Sequence, residues 1–279
     1  MRVVRAETLG FCHGVRRAVA LVEKAAARYG TVRSLGPVVH NEHVTARLAN
    51  VGVKVVSSLA EVPEGSAVAI TAHGAEADVL DRIAERGLPL IDATCSIVRR
   101  AQEAAAEAAA AGRTVIVHGD PAHPEVQGIL SRTGGRGVAF ESADLGDASI
   151  EPPLAIVAQT TADRTAFERF VDALRARFGE DVAVVDTTCS ETVRRYRAAR
   201  ELAGRIDGMV VVGSRTSANT VRLFDVCRAA GAPTFRVASA DEIDGQTLAG
   251  FSSIGLTAGA STPGAVIDEV LRRLRRLGR

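Results

Sequence analysis

Ile91-Asp92-Ala93-Thr94-Cys95 and Val185-Asp186-Thr187-Thr188-Cys189 are two copies of one phrase, and Leu9-Gly10-Phe11-Cys12 is a looser third. Each reads as an apolar strand that stops at a cysteine. The segments that follow are rich in Ala and Arg and carry apolar residues at helical spacing, such as Val15, Ala18, Val19 and Val22 after Cys12, or Val98, Ala101 and Ala105 after Cys95. Open α/β sheets gather their ligands at the carboxyl ends of strands, just before helix N-termini. The three cysteines are therefore candidates for one site.

The repeat extends downstream. Moving 28 residues on from Cys12, Cys95 and Cys189 reaches His40, His123 and Ser217, each in a polar turn between an apolar strand and a helix. A second polar turn follows in each copy: Ala72-His73-Gly74, Gln159-Thr160-Thr161 and Ala258-Gly259-Ala260-Ser261. A threefold repeat of about 90 residues accounts for this order of cysteine, helix, strand, turn, helix, strand and turn. It predicts three α/β units over 13–95, 96–189 and 190–279 with 1–12, because the strand missing from the last unit is the chain's own first strand, Arg2–Arg5. Closure of the three would bring the cysteines near a common axis. Gly10 and Gly14, flanking Cys12, read as places where backbone comes close to a bound group. His123-Pro124-Glu125 reads as a turn, Asp163 as a helix N-cap, residues 134–137 and 145–153 as loops, and 271–279 as a solvated basic helix face.

Composition narrows the chemistry. A length of 279 residues, 47% hydrophobic, gives ample material for a buried core, and a net charge of +1 gives no case for nucleic acid as a partner. No apolar run reaches the roughly 18 to 20 residues of a membrane span. The Met1 end has no basic-then-apolar signal pattern and the four cysteines form no close pairs, so the expected location is the cytoplasm, without membrane or disulfide framework.

Structural zinc sites take four ligands in close pairs, which this spacing lacks. Three isolated cysteines suit an iron–sulfur cluster on three thiolates with one open iron for substrate. The competing reading is that each cysteine is buried and inert, as Cys227, which has no equivalent, is expected to be. Around the centre the turns supply His40, His73, His123, Glu125, Thr160, Thr192, Ser217, Asn219 and Ser261. Such groups, with helix N-terminal amides, hold phosphate where no P-loop exists. Neither a P-loop nor a dinucleotide fingerprint is present, so electrons must come from a separate protein. Glu125 is the candidate proton donor, positioned by Thr160 or Thr192.

Gly10-Phe11-Cys12 with Gly14-Val15, Val39-His40-Asn41, Ala72-His73-Gly74, Asp92-Ala93-Thr94-Cys95, His123-Pro124-Glu125-Val126, Gln159-Thr160-Thr161, Cys189 with Thr192, and Thr257-Ala258-Gly259-Ala260-Ser261 resemble the LytB/IspH family of 4-hydroxy-3-methylbut-2-enyl diphosphate reductases. The resemblance implies a trefoil of α/β units around a [4Fe-4S] cluster on Cys12, Cys95 and Cys189. It also implies reductive dehydroxylation of the allylic diphosphate to isopentenyl and dimethylallyl diphosphate, the last step of the non-mevalonate isoprenoid route. By the same resemblance His40, His73, Ser217, Asn219 and Ser261 hold the diphosphate, His123 lies near it and the reacting hydroxyl, and Glu125 with Thr160 delivers protons. The chain departs from the family pattern at Ser96, Glu191, Tyr196 and Ala218, which stand where proline, alanine, glutamine and a second serine are usual. Two alternatives follow: a divergent paralogue using the same cluster on another allylic or phosphorylated compound, or a non-catalytic redox sensor.

Overall fold

A computed structural model describes every residue except Asp147, Ser149, Glu180 and Arg279. Part of the loop expected over 145–153, and the last residue of the basic end, lie outside the described residues. The strands are β1 (Arg2–Arg5), β2 (Val32–Leu35), β3 (Val53–Val56), β4 (Ala67–Ile70), β5 (Leu90–Asp92), β6 (Thr114–His118), β7 (Gly137–Phe140), β8 (Leu154–Ala158), β9 (Val182–Val185), β10 (Gly208–Val212), β11 (Thr234–Val237) and β12 (Ser253–Ala258). The helices are α1 (His13–Tyr29), α2 (Glu42–Asn50), α3 (Ala77–Glu85), α4 (Ser96–Ala110), α5 (Pro124–Leu130), α6 (Arg164–Phe178), α7 (Ser190–Ala203), α8 (Ala218–Ala229), α9 (Gly245–Leu248) and α10 (Gly264–Leu277).

The strands form three four-stranded sheets, β3-β2-β4-β5, β7-β6-β8-β9 and β11-β10-β12-β1, and every pairing is parallel. Each sheet has the same order of second, first, third and fourth strand, with β1 as the fourth strand of the last, paired to β12 from Arg2↔Ser253 to Arg5↔Leu256. In each, the cysteine follows the fourth strand: β5 leads to Cys95, β9 to Cys189 and β1 to Cys12. The chain is thus an α/β protein of three parallel sheets.

By packing, the chain divides into two compact units. One comprises residues 1–16, 39–47 and 190–279 and holds the sheet closed by β1; the other comprises 17–38 and 48–189 and holds the other two sheets. In the first, β10 and β12 are buried along their whole length, and α10 lays Val266, Ile267, Val270, Leu271 and Leu274 into the core. In the second, β4 and β8 are buried throughout, and α4 lays Ala101 and Ala105 against β6 and β8. Parallel strands covered on both faces read as unbroken apolar runs, which is why these segments were visible in the sequence.

Two local expectations change. His123-Pro124-Glu125 is not a free turn but the start of α5: His123 is the N-cap, its Nδ1 accepting from Glu125 N–H at 3.1 Å, and Pro124 occupies the first helical position. Gly10 has φ +76°, and a Cβ there would lie 2.8 Å from Ile267 Cδ1, so packing within the first unit already accounts for glycine at this position. Short 3₁₀ turns at Leu59–Glu61 and Ala240–Glu242, and the single turn of α9, were not expected. Asp163 does cap α6, accepting from Ala166 N–H at 3.0 Å.

Candidate active site

The loops that carry two of the cysteines are shaped by an aspartate at the strand end. Asp92 Oδ1 accepts from Thr94 N–H at 2.9 Å, and Asp186 Oδ1 accepts from Thr188 N–H at the same distance. Such turns halt the strand and swing the chain into the next helix. Each cysteine amide then donates to the turn after the third strand of its sheet: Cys95 to Ala72 O at 3.0 Å, Cys189 to Thr160 O at 2.9 Å and Cys12 to Ala260 O at 3.2 Å. Each of the three thus hangs beside one of the polar turns singled out above.

All three thiols stand at helix starts, where amides and the macrodipole favour a thiolate. Val15 N–H lies 3.4 Å from Cys12 Sγ. Burial pushes the Cys95 thiol up; the amides of Ile97 and Val98 pull it down, and the charges of Cys189 and Glu125 push it up again. Burial leads these effects and holds the Cys95 thiol above its usual range, while the helix-start amides are the groups that would favour its thiolate once a cation is bound. Cys227 has no such setting: it is fully buried in α8 and its thiol is pushed up to about 12 by burial. Among the described residues no three His, Cys, Asp or Glu side chains form a ready site for a metal ion. A cluster that takes one thiolate at each of three separate irons needs no such convergence on a single point.

In the larger unit the structure brings together His73, Cys95, His123, Glu125, Thr160 and Cys189. Glu125 is 2% exposed; its Oε1 accepts from Thr160 N–H at 2.6 Å and its Oε2 from Thr160 Oγ1–H at 3.1 Å. Burial pushes this carboxyl up to about 7, against the opposing pull of both Thr160 hydrogen bonds. Because His123 Nδ1 accepts the Glu125 amide, the neutral ring carries its proton on Nε2. The His73 and His123 rings meet edge to face, with centroids 5.5 Å apart. Thr71 Oγ1 accepts the His73 amide at 3.3 Å and lies 3.4 Å from its Nδ1.

In the smaller unit the structure brings together Cys12, His40, Ser217, Asn219 and Ser261. Ser261 Oγ–H donates to His40 O at 3.1 Å, and Asn219 Oδ1 accepts Ala260 N–H at 2.9 Å. Ser217 caps α8, accepting from Thr220 N–H at 3.3 Å. Burial lowers the His40 imidazole, with Glu42 opposing, and so favours the neutral ring. Thr192 is buried on α7, and among the described residues no hydrogen bond ties it to this group.

Two further residues were missed as site residues. Arg195, 1% exposed, donates to Ala258 O and to Gly10 O, both at 2.8 Å. Tyr196 is buried, and its Oη accepts from Asn219 Nδ2 at 3.3 Å. Glu191, one of the departures from the family pattern, is paired with Arg194 on the same helix.

The sequence matches the LytB protein family over residues 3–275. It is 40% identical over 279 residues to a 4-hydroxy-3-methylbut-2-enyl diphosphate reductase of Solidesulfovibrio magneticus, covering 97% of this chain and 98% of that one. A reductase of the same name from Dehalococcoides mccartyi is 40% identical over 278 residues, covering 97% and 96%. Among solved structures, the (E)-4-hydroxy-3-methyl-but-2-enyl diphosphate reductase described as the terminal enzyme of the non-mevalonate pathway matches at 34% identity with TM-score 0.71, over 99% of this chain and 100% of that one. The E-1-hydroxy-2-methyl-but-2-enyl-4-diphosphate reductase from Plasmodium falciparum shares the fold, with TM-score 0.91 at 24% identity, over 97% of this chain and 87% of that one. With a family match from the third residue to the last helix, and relatives at two-fifths identity along nearly their whole length, this chain belongs to the LytB protein family.

Proposed function

We propose that this chain removes the hydroxyl of 4-hydroxy-3-methylbut-2-enyl diphosphate reductively, giving isopentenyl and dimethylallyl diphosphate at the end of the non-mevalonate route. The observation that carries the reading is the buried Glu125 carboxyl on Thr160, pushed up to about 7 and so about half protonated near neutrality. The reaction consumes two electrons and two protons: the C–O bond breaks, one proton leaves with the hydroxyl as water, and the second forms a C–H bond at either end of the allylic unit. A neutral acid in an apolar wall supplies the first proton at physiological pH, where an exposed glutamate would be ionised.

The donor set fits a [4Fe-4S] cluster on Cys12, Cys95 and Cys189: three thiols at helix starts in matching positions, beside amides that favour the thiolates such a cluster takes. When bound, such a cluster supplies electrons and one open, Lewis-acidic iron. The protein's own groups do the rest. His123 offers its Nε2–H to the substrate, and Thr160 fixes the Glu125 carboxyl and passes its proton through the Oγ1 hydroxyl. His40, His73, Ser217, Asn219, Ser261 and Thr192 donate hydrogen bonds to the diphosphate.

In the same reading the three sheets mark repeat units 13–95, 96–189 and 190–279 with 1–12. The electrons come from a ferredoxin- or flavodoxin-type protein in the cytoplasm, where thiols stay reduced. No helix of the described residues is long and apolar enough to cross a membrane. The test is anaerobic turnover of the named diphosphate by the iron–sulfide-reconstituted protein with a chemical reductant. Formation of both isomers supports the proposal, and reduction of other allylic diphosphates in its place would overturn it.

A further inference from the structure

Arg195 is the largest fully buried side chain among the described residues, on the helix that starts directly after Cys189. Its fork joins the end of β12 to the loop before Cys12. One amino group donates to Ala258 O, three residues before Ser261; the other donates to Gly10 O, two residues before Cys12. Those segments prolong the β1–β12 ladder, and the prolongation is weak. Within the ladder, Arg2 N–H to Ser252 O and Ala6 N–H to Leu256 O are 2.8 Å, whereas Gly10 N–H to Ala258 O is 3.4 Å and Cys12 N–H to Ala260 O is 3.2 Å. The guanidinium therefore clamps the ladder where it loosens, at the step before a thiol on one side and a diphosphate-binding hydroxyl on the other. The left-handed turn at Gly10, φ +76°, allows the backbone to present that carbonyl there. Tyr196, next on the helix, holds Asn219, whose Oδ1 grips Ala260 N–H between the two.

We propose that Arg195 is a positioning residue that registers the Cys12 loop against the Ser261 turn, so that one side chain governs both retention of the iron–sulfur cluster and affinity for the diphosphate. The inference rests on the reductase reading. A guanidinium is needed because two carbonyls on separate segments are met by one planar fork, which an ammonium cannot reproduce.

The test compares Arg195→Lys and Arg195→Met with Leu274→Ala, a fully buried core truncation on α10 about 15 Å along the helix from its start. Each is reconstituted anaerobically and studied where circular dichroism shows it folded. Two quantities are read: the rate at which an external chelator removes iron, and the dissociation constant for inorganic diphosphate. Both Arg195 variants are expected to lose iron and to bind diphosphate at least about tenfold less well, the equivalent of one lost charge-assisted hydrogen bond, while Leu274→Ala lowers thermal stability and moves neither. Full rescue by Lys, or equal effects from Leu274→Ala, would reduce Arg195 to ordinary packing and overturn the proposal. Failure of the unaltered protein to hold iron would instead overturn the functional reading on which it rests.

Discussion

Replacing Glu125 by Gln is the perturbation with the most calculable outcome. The side chain is isosteric; its amide oxygen can accept Thr160 N–H and its NH₂ can donate to Thr160 Oγ1, so the hydrogen bonds survive while the titration disappears. Lifting a carboxyl from 4.5 to about 7 by burial corresponds to about 3 kcal/mol, at about 1.4 kcal/mol per pH unit. The sign follows from proton linkage. The folded state holds the proton more tightly, so the contribution is fully present below pH 4.5, fades as the unfolded chain ionises, and is lost above about 7. Between pH 5 and 8 the wild-type protein should lose about 2 to 3 kcal/mol relative to Glu125→Gln. Anaerobic urea unfolding of both proteins at the two pH values reads this directly, because every other titrating group cancels in the difference. Turnover should fall by roughly 10² or more with iron content unchanged. Parallel stability curves would mean that Glu125 is ionised at neutral pH, and the proton-donor argument would fail.

Thr160→Val removes the hydroxyl that pulls the Glu125 carboxyl down, so the high-pH limb of kcat should move to higher pH as kcat falls; a limb that stays in place would show that the hydroxyl does not tune the acid. Tyr196→Phe releases one donor contact of Asn219 and should raise KM for the diphosphate several-fold with kcat nearly intact, whereas an unchanged KM would remove Tyr196 from the binding argument. Gly10→Ala forces a left-handed alanine with its Cβ 2.8 Å from Ile267 Cδ1, at a cost of roughly 1 to 3 kcal/mol; calorimetry should show Tm lowered by several degrees, and an unaltered Tm would contradict the packing.

The regular architecture was legible because the central strands are unbroken apolar runs and the helices keep their apolar stripe, and β1 falls where the sequence places it, at Arg2–Arg5. The parallel closure of β1 on β12 was legible only through the repeat. What was hidden has specific causes. Arg195 sits in a helix crowded with arginines that otherwise look solvated, and nothing local distinguishes the one whose acceptors are carbonyls at Gly10 and Ala258. Glu125 was assigned to a turn, although Pro124 at the first helical position after a capping His123 was a readable helix start. Its burial against Thr160, a partner 35 residues away, depends on tertiary packing that no local pattern encodes. The same holds for the division into two compact units, whose boundaries fall inside α1 and α2 as well as between β2 and α2 and at the start of α7.

The account turns on Cys12, Cys95 and Cys189 sharing one cluster with an iron left open. Iron and acid-labile sulfide analysis with anaerobic electron paramagnetic resonance tests this most directly, in the unaltered protein and in the four single Cys→Ser variants. The expected result is roughly four iron and four sulfide per chain, a reduced-cluster signal that changes when the diphosphate is added, loss of both in the variants at Cys12, Cys95 and Cys189, and retention in Cys227→Ser. Full cluster content surviving the loss of any of the first three, or vanishing with Cys227, would contradict it.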